Sequence, residues 1–211
     1  MSATSVQVED PSDFVLLNTV TPETLPAWKF LKRRRVSMEV TQQAGLGFAR
    51  MGEHQGRIIM PIPGPRGDWI GWVGRDTRPK PWIPYWTAKG MDRRSVFFND
   101  AAVREDRSFP LILTEGPLDV LRHWPHAAGC LGKPAKGQIA RLAKVKRPIV
   151  VALDGDAWRA GLGLARALRV RGSPKVWALR LPPKRDLDDL DVGEVRAAVD
   201  YAVKNETDTV L

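Results

Sequence analysis

The 211-residue sequence has one cysteine, Cys130, and three histidines, His54, His123 and His126. A single thiol excludes a disulfide framework, and the scattered histidines lack the paired spacing of a zinc module, so no zinc is expected. Cys130 reads as a small buried hydrophobe rather than a nucleophile. No apolar run approaches the roughly 18 residues that a membrane span needs, and the first residues lack the basic-then-apolar pattern of a signal peptide. No membrane partner is expected, and the expected setting is the cytoplasm. Internal repeats and low-complexity tracts are also missing.

Positive charge, by contrast, is in excess. Lysine and arginine number 33 against 24 acids, a formal net charge of +9. The cations spread over residues 29–35, 50–107 and 133–147, whereas the acids concentrate at three strand-like endings and at the two ends of the chain. A broad positive surface for phosphates around a local negative pit for cations suits a metal-dependent enzyme acting on nucleic acid. The plainer alternative is a basic protein without such a role.

The acids carry the chemistry. Residues 149–153, IVVAL, form a continuous apolar run of the kind that a strand buried on both faces presents, and Asp154, Gly155 and Asp156 follow at once. LILT, residues 111–114, runs into Glu115 and Gly116, with Asp119 one helical turn on. KVWALRL, residues 175–181, leads through two prolines into RDLDDLD, with Asp186, Asp188, Asp189 and Asp191. Strand and helix alternate here, which implies parallel strands whose carboxyl ends, and therefore whose acids, share one edge. Two carboxylates about 4 Å apart repel by roughly 4 kcal/mol at an effective dielectric near 20. An all-oxygen set of this kind suits magnesium or manganese.

Upstream the pattern differs. Residues 1–25 read as a flexible N-terminal arm with one short ordered piece at 14–17. Residues 26–108 read as a basic α+β subdomain: a helix over 28–35, a second capped by Ser37 and stopped at Gly45, then a β-hairpin, RIIMPI and WIGWVGRD around a Pro- and Gly-rich turn. In the loop that follows, Arg78, Lys80, Lys89, Arg93 and Arg94 interleave with Trp82, Tyr85 and Trp86. Such a mixture can stack bases and hold phosphates, but packing of the hairpin onto the main sheet is the favoured role for the tryptophans. SVFF, residues 95–98, reads as a further strand, and residues 109–211 form the α/β part.

Taken in order from about residue 31 to 190, these stretches resemble a family. The strand ending in Glu-Gly and the strand ending in Asp-x-Asp resemble the Toprim domain. FLKRRRVSMEVTQQAGLGFAR, the hairpin, TEGPLDVLRHWPHAAGCLGKPAKGQIARL and KRDLDDL resemble successive parts of the catalytic core of DnaG-type DNA primases. The resemblance implies an α/β fold, with a Toprim-type parallel sheet flanked by helices behind a smaller mixed α+β subdomain. It implies a nucleotidyltransferase, a DNA-directed RNA primase. Glu115, Asp154 and Asp156 would be catalytic metal ligands for magnesium or manganese, Asp186 and Asp188 further ligands, and Asp119 a supporting acid. Arg75, Lys80, Lys89 and Arg94 would meet template and nucleotide. Single-stranded DNA and ribonucleoside triphosphates are the implied partners. The family's zinc-binding and helicase-interacting domains have no counterpart in the sequence, so a zinc-binding module or replicative helicase is expected to act in trans, in a phage or mobile-element setting within a bacterial cell. DGDAWRAG carries two residues more than the family's usual Asp-x-Asp-x-Ala-Gly, which displaces the expected helix start. The acidic motifs alone fit two rivals as well, a Toprim nuclease and an inactive nucleic-acid-binding replication adaptor.

Overall fold

A computed structural model describes residues 8–11, 13–173 and 175–211, so part of the expected N-terminal arm lies outside the described residues. By contacts the chain divides into two compact units, Met1–Asp92 and Arg93–Leu211.

The first unit is built on an antiparallel meander of five strands in chain order, with two short helices. Strand β1 (Phe14–Leu16) is followed by helices α1 (Leu25–Arg33) and α2 (Met38–Gln43), then by β2 (Gly47–Ala49), β3 (Arg57–Pro63), β4 (Trp69–Asp76) and β5 (Tyr85–Thr87). The predicted hairpin is the β3–β4 pair, in register from Arg57 opposite Asp76 to Ile62 opposite Gly71, with a shift of register before Pro63 meets Trp69. After Arg57, β3 is apolar, and it is buried over its first six residues, because both of its faces are covered. Trp72 lies in the core of this unit beside Ala49, Ile59 and Ala88, and its indole N–H donates to the carbonyl of Glu9 at 2.6 Å. Ser37 caps α2 as its residue type predicts, accepting from the Val40 N–H at 3.2 Å.

Helix α1 stops at Arg33, two residues short of the expected end. Arg35 adopts φ +55°, and the Val36 N–H returns to the Leu31 carbonyl at 3.0 Å, a turn that usually carries glycine.

The second unit is a five-stranded parallel sheet in the order β10-β9-β8-β6-β7. Its elements run α3 (Asp100–Arg104), β6 (Leu111–Thr114), α4 (Pro117–Arg122), β7 (Ala127–Gly129), α5 (Lys136–Leu142), β8 (Ile149–Val151), α6 (Trp158–Val170), β9 (Val176–Arg180), α7 (Val192–Lys204) and β10 (Thr209–Val210). The α/β class expected from the sequence is therefore what the structure has. The three predicted acid-ended strands, β6, β8 and β9, lie side by side at its centre, buried along nearly all their length. Helix α6 covers β9 and β8 through Leu164, Ala165 and Leu168, and Gly172, at φ +96°, closes the helix as predicted.

Two expectations differ from the structure. Residues 95–98 form no strand: Phe98 alone bridges, antiparallel, to Gly129, because the Asp100 carboxylate accepts the Phe97 N–H at 3.3 Å and turns the chain into α3. Residues 93–108, assigned from the sequence to the upstream subdomain, belong to the second unit by contact, since Phe97, Ala102 and Val103 pack in the core of the parallel sheet. Among the described residues no helix is long and apolar enough to cross a membrane.

Arg35→Gly is expected to stabilise the protein by about 0.5–1 kcal/mol, the left-handed strain relieved minus the entropy that glycine adds to the unfolded chain. Urea unfolding checks it, and an unchanged or lower midpoint would contradict the cost assigned to this turn.

Candidate metal centre and basic residues

The first acid-bearing loop leaves β6. Glu115 follows Thr114, and its backbone carbonyl accepts the Leu131 N–H at 2.9 Å. Pro117 opens α4, where it sacrifices no helical hydrogen bond. Asp119, in the first turn, is buried and accepts twice, from the Gly116 N–H at 3.1 Å and from the Asp188 N–H at 3.0 Å. The side chain expected as a supporting acid thus ties the first loop to the third.

The second loop leaves β8. Asp154 and Asp156 flank Gly155, and the chain makes a 3-10 turn over Gly155–Ala157 before α6 begins. This turn takes up the residues that displace the helix start. The Gly155 N–H donates to the Arg185 carbonyl at 3.0 Å, and a Cβ on Gly155 would lie 2.1 Å from the Pro182 carbonyl oxygen. Only glycine fits between the two aspartates, because the second loop rests directly on the backbone of the third.

The third loop leaves β9 through Pro182 and Pro183 and makes a 3-10 turn over Leu187–Asp189. Carboxylate oxygens of Asp186, Asp188 and Asp189 lie within 4.8 Å of one another. Asp189 also pairs with Arg185 at 3.6 Å, and Asp191 caps α7 by accepting the Gly193 and Glu194 N–H groups at 2.8 and 3.1 Å.

These groups sense one another. Burial pushes the Asp154 carboxyl up to about 7, helped by the charges of Glu115, Asp186, Asp156 and Asp188. Asp119 rises to about 8 through burial and the charges of Asp188 and Asp154. Glu115 is raised by burial and by Asp156 and Asp186, against an opposing hydrogen bond from the Asp154 N–H and the nearby cation of Lys133. The predicted acids from all three strand ends therefore share one electrostatic environment. Their donor set is oxygen only and its excess charge is negative, which fits a hard divalent cation. Lys133, counted in the sequence only as one cation of the 133–147 stretch, is the added positive charge beside Glu115. Cys130 is buried, its thiol pushed well up by burial, as a packing residue should be.

The basic residues separate into different situations. Arg75, on β4, is half-buried with its guanidinium 4.7 Å from the Tyr85 ring centroid and 5.5 Å from that of Phe30, a planar cation held between two aromatic faces. Lys80 is exposed on the loop between β4 and β5, and Arg94 is exposed at the start of the second unit. Lys89 is engaged: its ammonium lies 3.8 Å from Glu9 and 3.9 Å from Glu53. Glu9, Glu53 and His54 group their ligand atoms closely, and Lys89 already brings a positive charge to both carboxylates. Of the aromatics expected to pack, Trp86 does so, against its own sheet. Trp82 does not, being 97% exposed, because it sits at a loop tip that meets no other surface of its unit.

Two outcomes follow from this geometry. Gly155→Ala is expected to destabilise the protein by about 1–3 kcal/mol in urea unfolding, whereas Gly163→Ala on α6, where a Cβ meets nothing within 4 Å, is expected to stabilise it by about 0.5–1 kcal/mol. Equal behaviour of the two would contradict the close contact. Asp154 and Asp119 hold their protons more tightly when folded than at their ordinary value of 3.8. Their contribution is complete below about pH 4 and is lost as pH rises towards 7 to 8, so in chelator the melting temperature is expected to fall across that window. Added magnesium is expected to recover more of it at pH 8 than at pH 5, and a melting temperature indifferent to both would contradict the shared environment.

The sequence matches no family model and no curated protein. Solved structures are similar in fold. A structure of the DnaG primase catalytic domain bound to ssDNA superposes with a TM-score of 0.71 at 20% identity, covering 89% of this chain and 74% of that one. The Aquifex aeolicus primase, comprising zinc binding and RNA polymerase domains, gives 0.70 at 20% identity, and this chain spans 85% of itself but 55% of that structure. The RNA polymerase domain of Mycobacterium tuberculosis primase DnaG gives 0.68 at 19% identity, with 87% and 77% covered. What these three primase structures have in common with this chain is its architecture: the protein has the fold of the DnaG primase catalytic core.

Proposed function

We propose that the chain is the catalytic core of a DNA primase, a nucleotidyltransferase that joins ribonucleotides on a single-stranded DNA template. The observation that carries this reading is the gathering of Glu115, Asp154, Asp156, Asp186 and Asp188 into one electrostatic environment on a primase-core fold. The second unit is then a Toprim domain. Glu115, Asp154 and Asp156, with Asp186 and Asp188, hold magnesium or manganese. A bound divalent cation supplies charge stabilisation at the phosphoryl oxygens of a nucleoside triphosphate.

The protein's own residues do the rest. Asp119 fixes the spacing of the first and third loops through its two backbone hydrogen bonds. Gly155 lets the second loop seat against the third. Glu115, with its raised pKa, is suited to take the proton of the attacking 3′-hydroxyl, directly or through water. Arg75, pre-oriented between Phe30 and Tyr85, presents a guanidinium to a phosphate at little further entropic cost. Lys80 and Arg94 contribute exposed positive charge to template or nucleotide, and the engaged Lys89 contributes less.

Incubation of the full chain with single-stranded DNA, ribonucleoside triphosphates and magnesium or manganese is expected to yield short RNA. Asp154→Asn and Glu115→Gln are expected to reduce that yield by at least about 10³-fold, with circular dichroism like the wild type and a melting temperature no lower than it. Full synthesis by a folded Asp154→Asn protein would overturn the assignment. Cleavage of the DNA without RNA synthesis would move the same acids to the nuclease reading.

A further inference from the structure

Trp82 is the most exposed large hydrophobic side chain among the described residues, at 97%. An indole in full contact with water is costly unless something covers it in use. Its loop is not slack. The carbonyls of Ile83 and Pro84, just beyond it, accept from the Arg57 guanidinium and the Asp76 N–H, each at 3.0 Å. At the other end the Asp76 carboxylate accepts the Arg78 backbone N–H at 2.9 Å and pairs with the Arg78 side chain. Pro79, Pro81 and Pro84 restrict the backbone between these anchors, and Lys80 takes a left-handed φ of +47°. The tryptophan is thus held out on a stiff support, with the ordering entropy already met before any ligand arrives.

Its surroundings point to a polyanion. From residue 75 to 89 the sequence carries four cations and a single carboxylate, Asp76, and that carboxylate is fully buried against Arg57 and Arg78. Lys80, two residues from the indole, is exposed. A flat π-face beside an exposed ammonium matches an unpaired base and its neighbouring phosphate.

We propose that Trp82 is a stacking platform for an unpaired base of single-stranded nucleic acid, with Lys80 meeting the adjacent phosphate. This rests on the primase reading for the identity of the strand and adds to it a residue for which the sequence favours packing. A duplex offers no free base face along its length, so the platform discriminates against double strands.

Fluorescence anisotropy of a labelled deoxythymidine oligomer, titrated with the full chain, tests it. Trp82→Ala is expected to weaken binding about tenfold or more without changing the dependence of affinity on salt, while Trp82→Phe retains most of it. Lys80→Ala is expected to lower the slope of log affinity against log salt by about 0.7. Trp82→Ala is not expected to alter binding of a duplex of the same length relative to the wild type, and melting curves check that it is folded. Equal binding by Trp82→Ala and wild type would overturn the proposal, as would equal losses for Trp82→Ala and Trp82→Phe or a matching loss on duplex. Primer synthesis by the wild type separates the two claims. Synthesis with Trp82→Ala binding unaltered sinks the platform alone, and a Trp82-dependent single-strand complex without synthesis sinks the primase reading alone.

Discussion

Five carboxylates brought to the carboxyl ends of three adjacent parallel strands repel one another, and the loops that carry them must be held together by something other than their charges. The backbone does this. Asp119 accepts from the loop after β6 and from the loop after β9, and the Gly155 N–H joins the loop after β8 to the latter. The Gly155 link is wholly main-chain and carries no charge, while the two Asp119 links set a carboxylate against main-chain N–H groups, which hold it in place against the neighbouring acids. The cost shows instead in the raised pKa values of Asp154, Asp119 and Glu115, which record how poorly water reaches these groups. An acidic cluster of this kind calls for positive charge, and the glycine between two aspartates is part of its frame rather than a spacer.

Much of this second unit was legible in the sequence, because its signals are local. Apolar runs ending in acids, alternating with helical periods, give β6, β8 and β9, and parallel connection then places their acids on one edge. What was not legible depended on distant contacts. The apolar run of residues 95–98 announces burial but not which sheet receives it, and it packs with the parallel sheet without joining it as a strand. Arg35 has no propensity for the left-handed turn it occupies, so nothing in its type foretold the early end of α1. The exposure of Trp82 contradicts the average behaviour of its residue type, and only the anchored loop explains it.

The first unit shows why counting cations says little about binding. Arg75, Lys80 and Lys89 are equivalent in composition. In space one is clamped between aromatic rings, one stands free of the fold, and one is drawn to two carboxylates. Desolvation and partner supply, which no spacing rule encodes, decide which of them has charge to offer an incoming phosphate.

The margins of the parallel sheet have a further consequence. One border is β10, two residues long, whose neighbour Leu211 donates to the Arg180 carbonyl at 2.9 Å; the other is β7, three residues long and bridged by Phe98. The β7 border, met by that bridge, offers no ladder long enough for a foreign strand to extend. Strand addition on that side of the parallel sheet is thereby disfavoured, which leaves its helices and loops as the surfaces free to meet other molecules.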